Sequence, residues 1–90
     1  MNLTRFARRL SERAQGTVQT DYPLSGLTTY RVGGPAAVYF EPEGITDIEP
    51  LAGLLGDEPD VPVLALGRGS NLVVSDEGFE GVVVRLGMSF

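Results

Sequence analysis

The chain contains no cysteine, histidine, tryptophan or lysine among its 90 residues. Without cysteine there is no disulfide framework to stiffen a small core. Without cysteine or histidine, the common zinc sites and the Cys–His and Ser–His nucleophile pairs are excluded. Without lysine there is neither a Schiff-base amine nor a Walker-type phosphate loop. Proton chemistry is left to Asp, Glu, Tyr, Ser and Arg, so a redox reaction would have to be carried by a bound cofactor. No apolar run is long enough to cross a bilayer, and the N-terminus lacks the apolar core of a signal peptide. A soluble, cytoplasmic protein with no membrane partner is expected.

Charge is uneven. Residues 1–20 hold four arginines and one glutamate, a balance of +3, and residues 21–90 carry −8, giving the net −5. An acidic chain of this kind argues against a general nucleic-acid surface. The N-terminal arginines read as the solvated face of a helix. Ninety residues make at most one small domain. The last residues, Val82 to Phe90, read as a strand leaving into a loop with nothing to close a fold, so a piece of a longer protein is expected.

Leu3, Phe6, Ala7, Leu10 and Ala14 recur at helical spacing with Arg5, Arg8, Arg9, Glu12 and Arg13 on the other faces. Asn2 is placed to cap this helix and Gly16 to end it, giving an N-terminal amphipathic segment over 1–16. From Thr17 to Leu27 the pattern is that of a linker. Strands follow at Thr28–Val32 and Ala36–Glu41, broken by Gly33-Gly34-Pro35. Thr46 and Glu49 occupy capping-box positions, and Asp47 suits the positive end of a helix dipole. Ile48, Leu51, Ala52 and Leu55 form the apolar face of a second helix ended by Gly56. Val61–Leu66 is apolar without alternation, as in a strand covered on both faces. A short β segment at Leu72–Val74, a wide turn over Ser75–Gly81 and a strand at Val82–Leu86 complete the order α, β, β, α, β, β, β. The stretch from Ala36 to Leu66 fits one βαβ crossover, so an α+β or α/β layer is expected.

The most informative segment is Val61–Leu66 running into Gly67-Arg68-Gly69-Ser70-Asn71-Leu72. The glycines allow close backbone approach, and successive N–H groups can form an anion-binding concavity with added donors from Arg68, Ser70 and Asn71. That chemistry suits a phosphate or pyrophosphate; the other reading is an ordinary strand-to-strand turn. A Rossmann fingerprint is rejected, because the third glycine position is Leu72 and a strand, not a helix, follows. The loop stands at the carboxyl end of its strand, the edge that ligands favour in such sheets. In Tyr30-Arg31-Val32-Gly33-Gly34-Pro35-Ala36, paired glycines again permit close approach and Arg31 can pair with an anion, or the segment is a tight connection with a solvated arginine. Asp76 and Glu77 point to opposite faces of an extended chain and make a poor acid–base pair. The acidic loop Asp57-Glu58-Pro59-Asp60 lacks the spaced oxygens of a calcium site, so no metal site is expected.

Taken in order, Thr29–Ala36, Leu66–Asp76 and Gly78–Val84 resemble the start of the UDP-N-acetylenolpyruvoylglucosamine reductase family, flavoenzymes of bacterial peptidoglycan synthesis. The resemblance covers roughly residues 20–90. It implies an α+β FAD-binding domain of the vanillyl-alcohol-oxidase (PCMH) type, with residues 17–90 forming its N-terminal subdomain, a small mixed or parallel sheet with flanking helices. It further implies that Gly67, Gly69, Ser70 and Asn71 donate to the FAD pyrophosphate, that Arg68 and Leu72 complete the loop, and that Tyr30 and Arg31 lie near the flavin. The reaction it implies passes hydride from NADPH through FAD to UDP-N-acetylglucosamine enolpyruvate. The family's catalytic serine, glutamate and arginine belong beyond residue 90, so no catalytic residue is expected in this segment. The other readings are the FAD domain of a different oxidase or dehydrogenase, and a nucleotide-binding module without chemistry.

Overall fold

A computed structural model of the chain describes residues 3–24, 34–66 and 78–86. In chain order these form α1 (Thr4–Arg13), β1 (Thr17–Pro23), β2 (Pro35–Glu41), a 3-10 turn (Ile45–Asp47), α2 (Ile48–Asp57), β3 (Val63–Leu66) and β4 (Phe79–Arg85). The four strands make one mixed sheet in the spatial order β1-β2-β4-β3. β1 is antiparallel to β2, while β2, β4 and β3 run parallel. The fold is a small α+β layer, as expected.

Both helices pack on the same face of the sheet. Phe6, Ala7 and Leu10 of α1 and Leu51 and Leu54 of α2 meet Val38 and Phe40 of β2 and Val82 and Val84 of β4. The helical period of the first segment therefore holds, with its arginines outside the core. α1 does not end at Gly16, however. Ala14 is already extended, its N–H bonded to the Leu10 carbonyl at 2.8 Å. Gly16 instead lies where the Glu41 carbonyl, Pro42 and the Glu43 amide crowd its α-carbon and leave no room for a side chain. Asn2 lies outside the described residues.

The segment read as a linker is strand β1. It is legible only through its partner, because it pairs with β2 in one register from Thr17↔Glu41 to Pro23↔Pro35, skipping Asp21, while most of its side chains are exposed. An edge strand with solvent on most sides carries no alternation to detect. Leu24 N–H donates to the Gly34 carbonyl at 3.4 Å, closing the base of the β1–β2 connection. The expected strand Thr28–Val32 falls between them and lies outside the described residues.

The covered strand is β4, not β3. Val82 and Val83 are fully buried and Val84 nearly so, whereas β3 is an edge whose Val63 is 45% exposed. The βαβ crossover from β2 through α2 to β3 exists, but β4 enters the gap between its two strands, which no local pattern announces. The ladder begins at Val63; Pro62 precedes it and accepts a hydrogen bond from Val82 N–H at 2.9 Å through its carbonyl. Phe79–Gly81, read as part of a turn, belong to β4. Gly78, just before them, has φ +91°, and a Cβ there would strike Pro35 at the start of β2. In α2, the buried positions are Leu51 and Leu54, Ala52 is exposed, and the helix runs past Gly56 to Asp57.

No capping box forms. Thr46 lies inside the 3-10 turn, and Asp47 makes no cap bond to α2. The buried Asp47 carboxylate instead accepts N–H groups from Gln15 (3.0 Å), Gly16 (2.8 Å) and Glu43 (2.9 Å). It ties the end of α1 and the start of β1 to the turn before α2. The amides of Gln15 and Glu43, then that of Gly16 against the opposing effect of burial, hold its carboxyl below the ordinary aspartate value. A depressed folded-state value stabilises the fold above the unfolded aspartate pKa of 3.8 and loses that contribution as pH falls through the folded value.

Asp47→Ala is expected to cost about 3 kcal/mol, since it strands three donors of charge-assisted bonds, and to flatten the acid limb of stability below the ordinary aspartate pKa. Chemical denaturation followed over pH checks both. Gly78→Ala is expected to cost at least about 2 kcal/mol, from its left-handed backbone and the contact with Pro35. Gly53→Ala, where an added methyl meets open space, is expected to stabilise by up to about 1 kcal/mol in the same assay.

Candidate functional site at the carboxyl edge of the parallel strands

Three parallel strands deliver their carboxyl ends to one edge: β2 at Glu41, β4 at Arg85 and β3 at Leu66. Leu66 and Arg85 are register partners, and Leu86 N–H donates to the Leu66 carbonyl at 2.7 Å. The chain therefore leaves β3 toward Gly67 directly beside Arg85.

The sheet face opposite the helices carries Leu24, Ala36, Tyr39, Leu66 and Val83 as a second buried cluster. Tyr39 is 1% exposed, and its ring stacks on that of Tyr22 with centroids 3.9 Å apart and planes 9° from parallel. Alternation along β2 puts Glu41 on the same face as Tyr39. The Tyr39 hydroxyl donates to Glu41 Oε2 at 3.0 Å, and the Arg85 guanidinium lies close enough to both residues for them to act on it electrostatically. Tyr39, Glu41 and Arg85 thus gather at the ends of two neighbouring strands.

Burial pushes the Tyr39 phenol above its ordinary value; Arg85 opposes that rise, while the hydrogen bond and charge of Glu41 add to it. Tyr39, and after it the carboxylate of Glu41, hold Arg85 above the usual arginine value against the effect of burial. At neutral pH Tyr39 is a phenol and the donor in its bond to Glu41.

Gly67, Arg68, Gly69, Ser70, Asn71 and Leu72 follow Leu66 immediately and lie outside the described residues, as do Tyr30 and Arg31 between Leu24 and Gly34. The described strand ends from which the two motifs depart stand at opposite edges of the sheet: Leu66 at the carboxyl edge of the parallel strands, Gly34 at their amino edge. Those edges are roughly 20 Å apart for strands of this length. Tyr22, Tyr39, Glu41 and Arg85 escaped the sequence reading. The one signal for them was the i, i+2 placement of Tyr39 and Glu41; an arginine closing a valine run reads only as a strand end. Among the described residues, no group of acidic side chains is arranged to hold a metal ion, and no helix is long and apolar enough to cross a membrane.

Because Tyr39 has a raised folded-state value, its contribution to stability is complete below the unfolded tyrosine pKa of 10.0 and is lost as pH rises through the folded value. In a spectrophotometric alkaline titration, Tyr39 is expected to ionise above 10.0, and Glu41→Gln to bring that transition down. A Tyr39 transition indifferent to Glu41→Gln would contradict the hydrogen bond between them.

No family model matches the chain. Individual proteins do. The UDP-N-acetylenolpyruvoylglucosamine reductase of Novosphingobium aromaticivorans is 48% identical over 76 residues, covering 84% of this chain and 25% of that protein. The protein of the same name from Caulobacter vibrioides is 48% identical over 77 residues, covering 86% and 25%. That from Cereibacter sphaeroides is 49% identical over 77 residues, covering 84% and 24%. The chain spans about a quarter of the length of the curated relatives it matches. By sequence it is similar to the N-terminal portion of the UDP-N-acetylenolpyruvoylglucosamine reductases.

Proposed function

We propose that the chain is the N-terminal part of the FAD-binding domain of a reductase that converts UDP-N-acetylglucosamine enolpyruvate to UDP-N-acetylmuramate with NADPH, in cytoplasmic peptidoglycan synthesis. The observation that carries this reading is 46–49% identity, across most of the chain, to proteins that all bear that reductase name. The shared name favours the reductase over a different flavin oxidase and over a nucleotide-binding module without chemistry. In this reading the domain is of the PCMH type, residues 17–90 are its N-terminal portion, and the helix within residues 1–16 packs on it.

The sheet's geometry fits such a cofactor. The carboxyl edge of parallel strands is where nucleotides bind in layered sheets, and this edge carries a cation, Arg85. Gly67, Gly69, Ser70 and Asn71 supply N–H and side-chain donors to the pyrophosphate, with Arg68 and Leu72 completing the loop and Tyr30 and Arg31 nearer the flavin. Bound there, FAD would supply the hydride relay between NADPH and the enolpyruvyl carbon. The residues of this chain bind and orient; none of them is assigned a proton-transfer step.

The full-length protein is expected to purify with flavin absorbance and to oxidise NADPH only when the enolpyruvyl sugar nucleotide is present. Asn71→Ala is expected to weaken FAD binding about tenfold, the worth of one lost hydrogen bond to a charged group. A colourless full-length protein that takes up no FAD would overturn the reading.

A further inference from the structure

The spatial order β1-β2-β4-β3 leaves β1 at the end of the sheet farthest from β3. Among the described residues, the N–H and C=O groups on its outer side have no ladder partner. Such an edge is a template for another extended chain. Beside it lies α1, and between the two runs an open groove of about 500 Å³. Thr4, Ala7, Arg8 and Ser11 form the helix wall, at the i, i+3, i+4, i+7 spacing of one helix face. Val18, Gln19 and Thr20 form the strand wall.

Only a short length of this edge is usable. Asp21 has φ +50° and is skipped in the ladder with β2, and Pro23 has no N–H to offer. Thr17 to Thr20 remain, enough to pair with roughly 13 Å of a partner strand.

The groove also has a sign. Among the described residues, its lining holds one cation, Arg8, and no carboxylate. α1 carries Arg5, Arg8, Arg9 and Arg13 against the single Glu12, and among the described residues Arg9 alone is ion-paired. Residues 21–90 sum to −8, so this basic helix is the exception on an acidic chain. A second copy of the chain fits the groove poorly. Antiparallel pairing of β1 with its own copy would put both α1 helices on one face, side by side across the seam, where like charges repel.

We propose that the α1–β1 groove is a docking site for an acidic, extended segment of a partner protein, which adds to β1 as a further strand and sets a carboxylate against Arg8. Backbone bonds to the edge supply affinity, and the charge selects the composition of the segment. Because β1 and β3 stand at opposite ends of the sheet, docking leaves the strand that leads into Gly67 uncovered.

The test titrates the full-length protein with a dye-labelled, end-blocked peptide of alternating valine and glutamate, read by fluorescence anisotropy. Saturable binding is expected, at least about tenfold tighter than that of the matching valine–lysine peptide. Arg8→Glu is expected to weaken it about tenfold and to leave the unfolding temperature unchanged. N-methylating the peptide backbone at alternate residues removes its donors along one side. Of the two complementary N-methylated peptides, one is expected to lose binding and the other to keep it, an asymmetry that charge attraction alone does not give. Equal binding of those two peptides, or binding indifferent to Arg8→Glu, would overturn the proposal. So would a full-length protein that ignores the peptide: monomeric in sedimentation, it fills the groove with a later part of its own chain; dimeric, with a second copy.

Discussion

The structure depends on the parallel insertion of β4 between β2 and β3. That strand is buried on both faces by Val82, Val83 and Val84, and it is the common partner that joins two strands separated by a helix. Burying three valines on the two faces of a central strand contributes several kcal/mol of apolar burial, which neither edge strand can match. The insertion also sets the chemistry. It brings Arg85 level with Leu66 and puts Tyr39 and Arg85 on one face, so the carboxyl edge acquires its cation from the strand that holds the sheet together.

Electrostatics at that edge follow from a choice of partner. Arg9 pairs with Asp57 on the exposed helix surface, where such a pair contributes little. Asp47 goes further and is buried with three backbone N–H groups and, among the described residues, no cation. Arg85 stands at the carboxyl edge beside Tyr39 and Glu41. A carboxylate satisfied by amides serves the fold.

What the sequence made legible follows from how local each signal is. The spacing of Phe6, Ala7 and Leu10 marks α1, and the valine run marks β4 as a strand, because period and β-branching are properties of neighbours in the chain. The central place of β4 and the edge position of β3 are not local, so Val61–Leu66 looked covered when it is not. β1 was lost because its ladder lies in β2 and its side chains face water. Asp47 looked like a helix cap, since two of its three donors come from 31 and 32 residues upstream. The glycine loop was read from composition alone and lies outside the described residues, while nothing local places Arg85 beside Tyr39, 46 residues away in the chain and adjacent across the strands.

The central claim is that the carboxyl edge of β3 and β4 holds a dinucleotide's diphosphate. The most direct measurement is a crystal structure of the full-length protein with FAD bound. The two phosphates are expected within hydrogen-bond distance of the amides of residues 67–71, at the edge where β4 ends. Phosphates found instead at the amino edge, near Leu24 and Gly34, with the amides of 67–71 bonded to the protein itself, would contradict it.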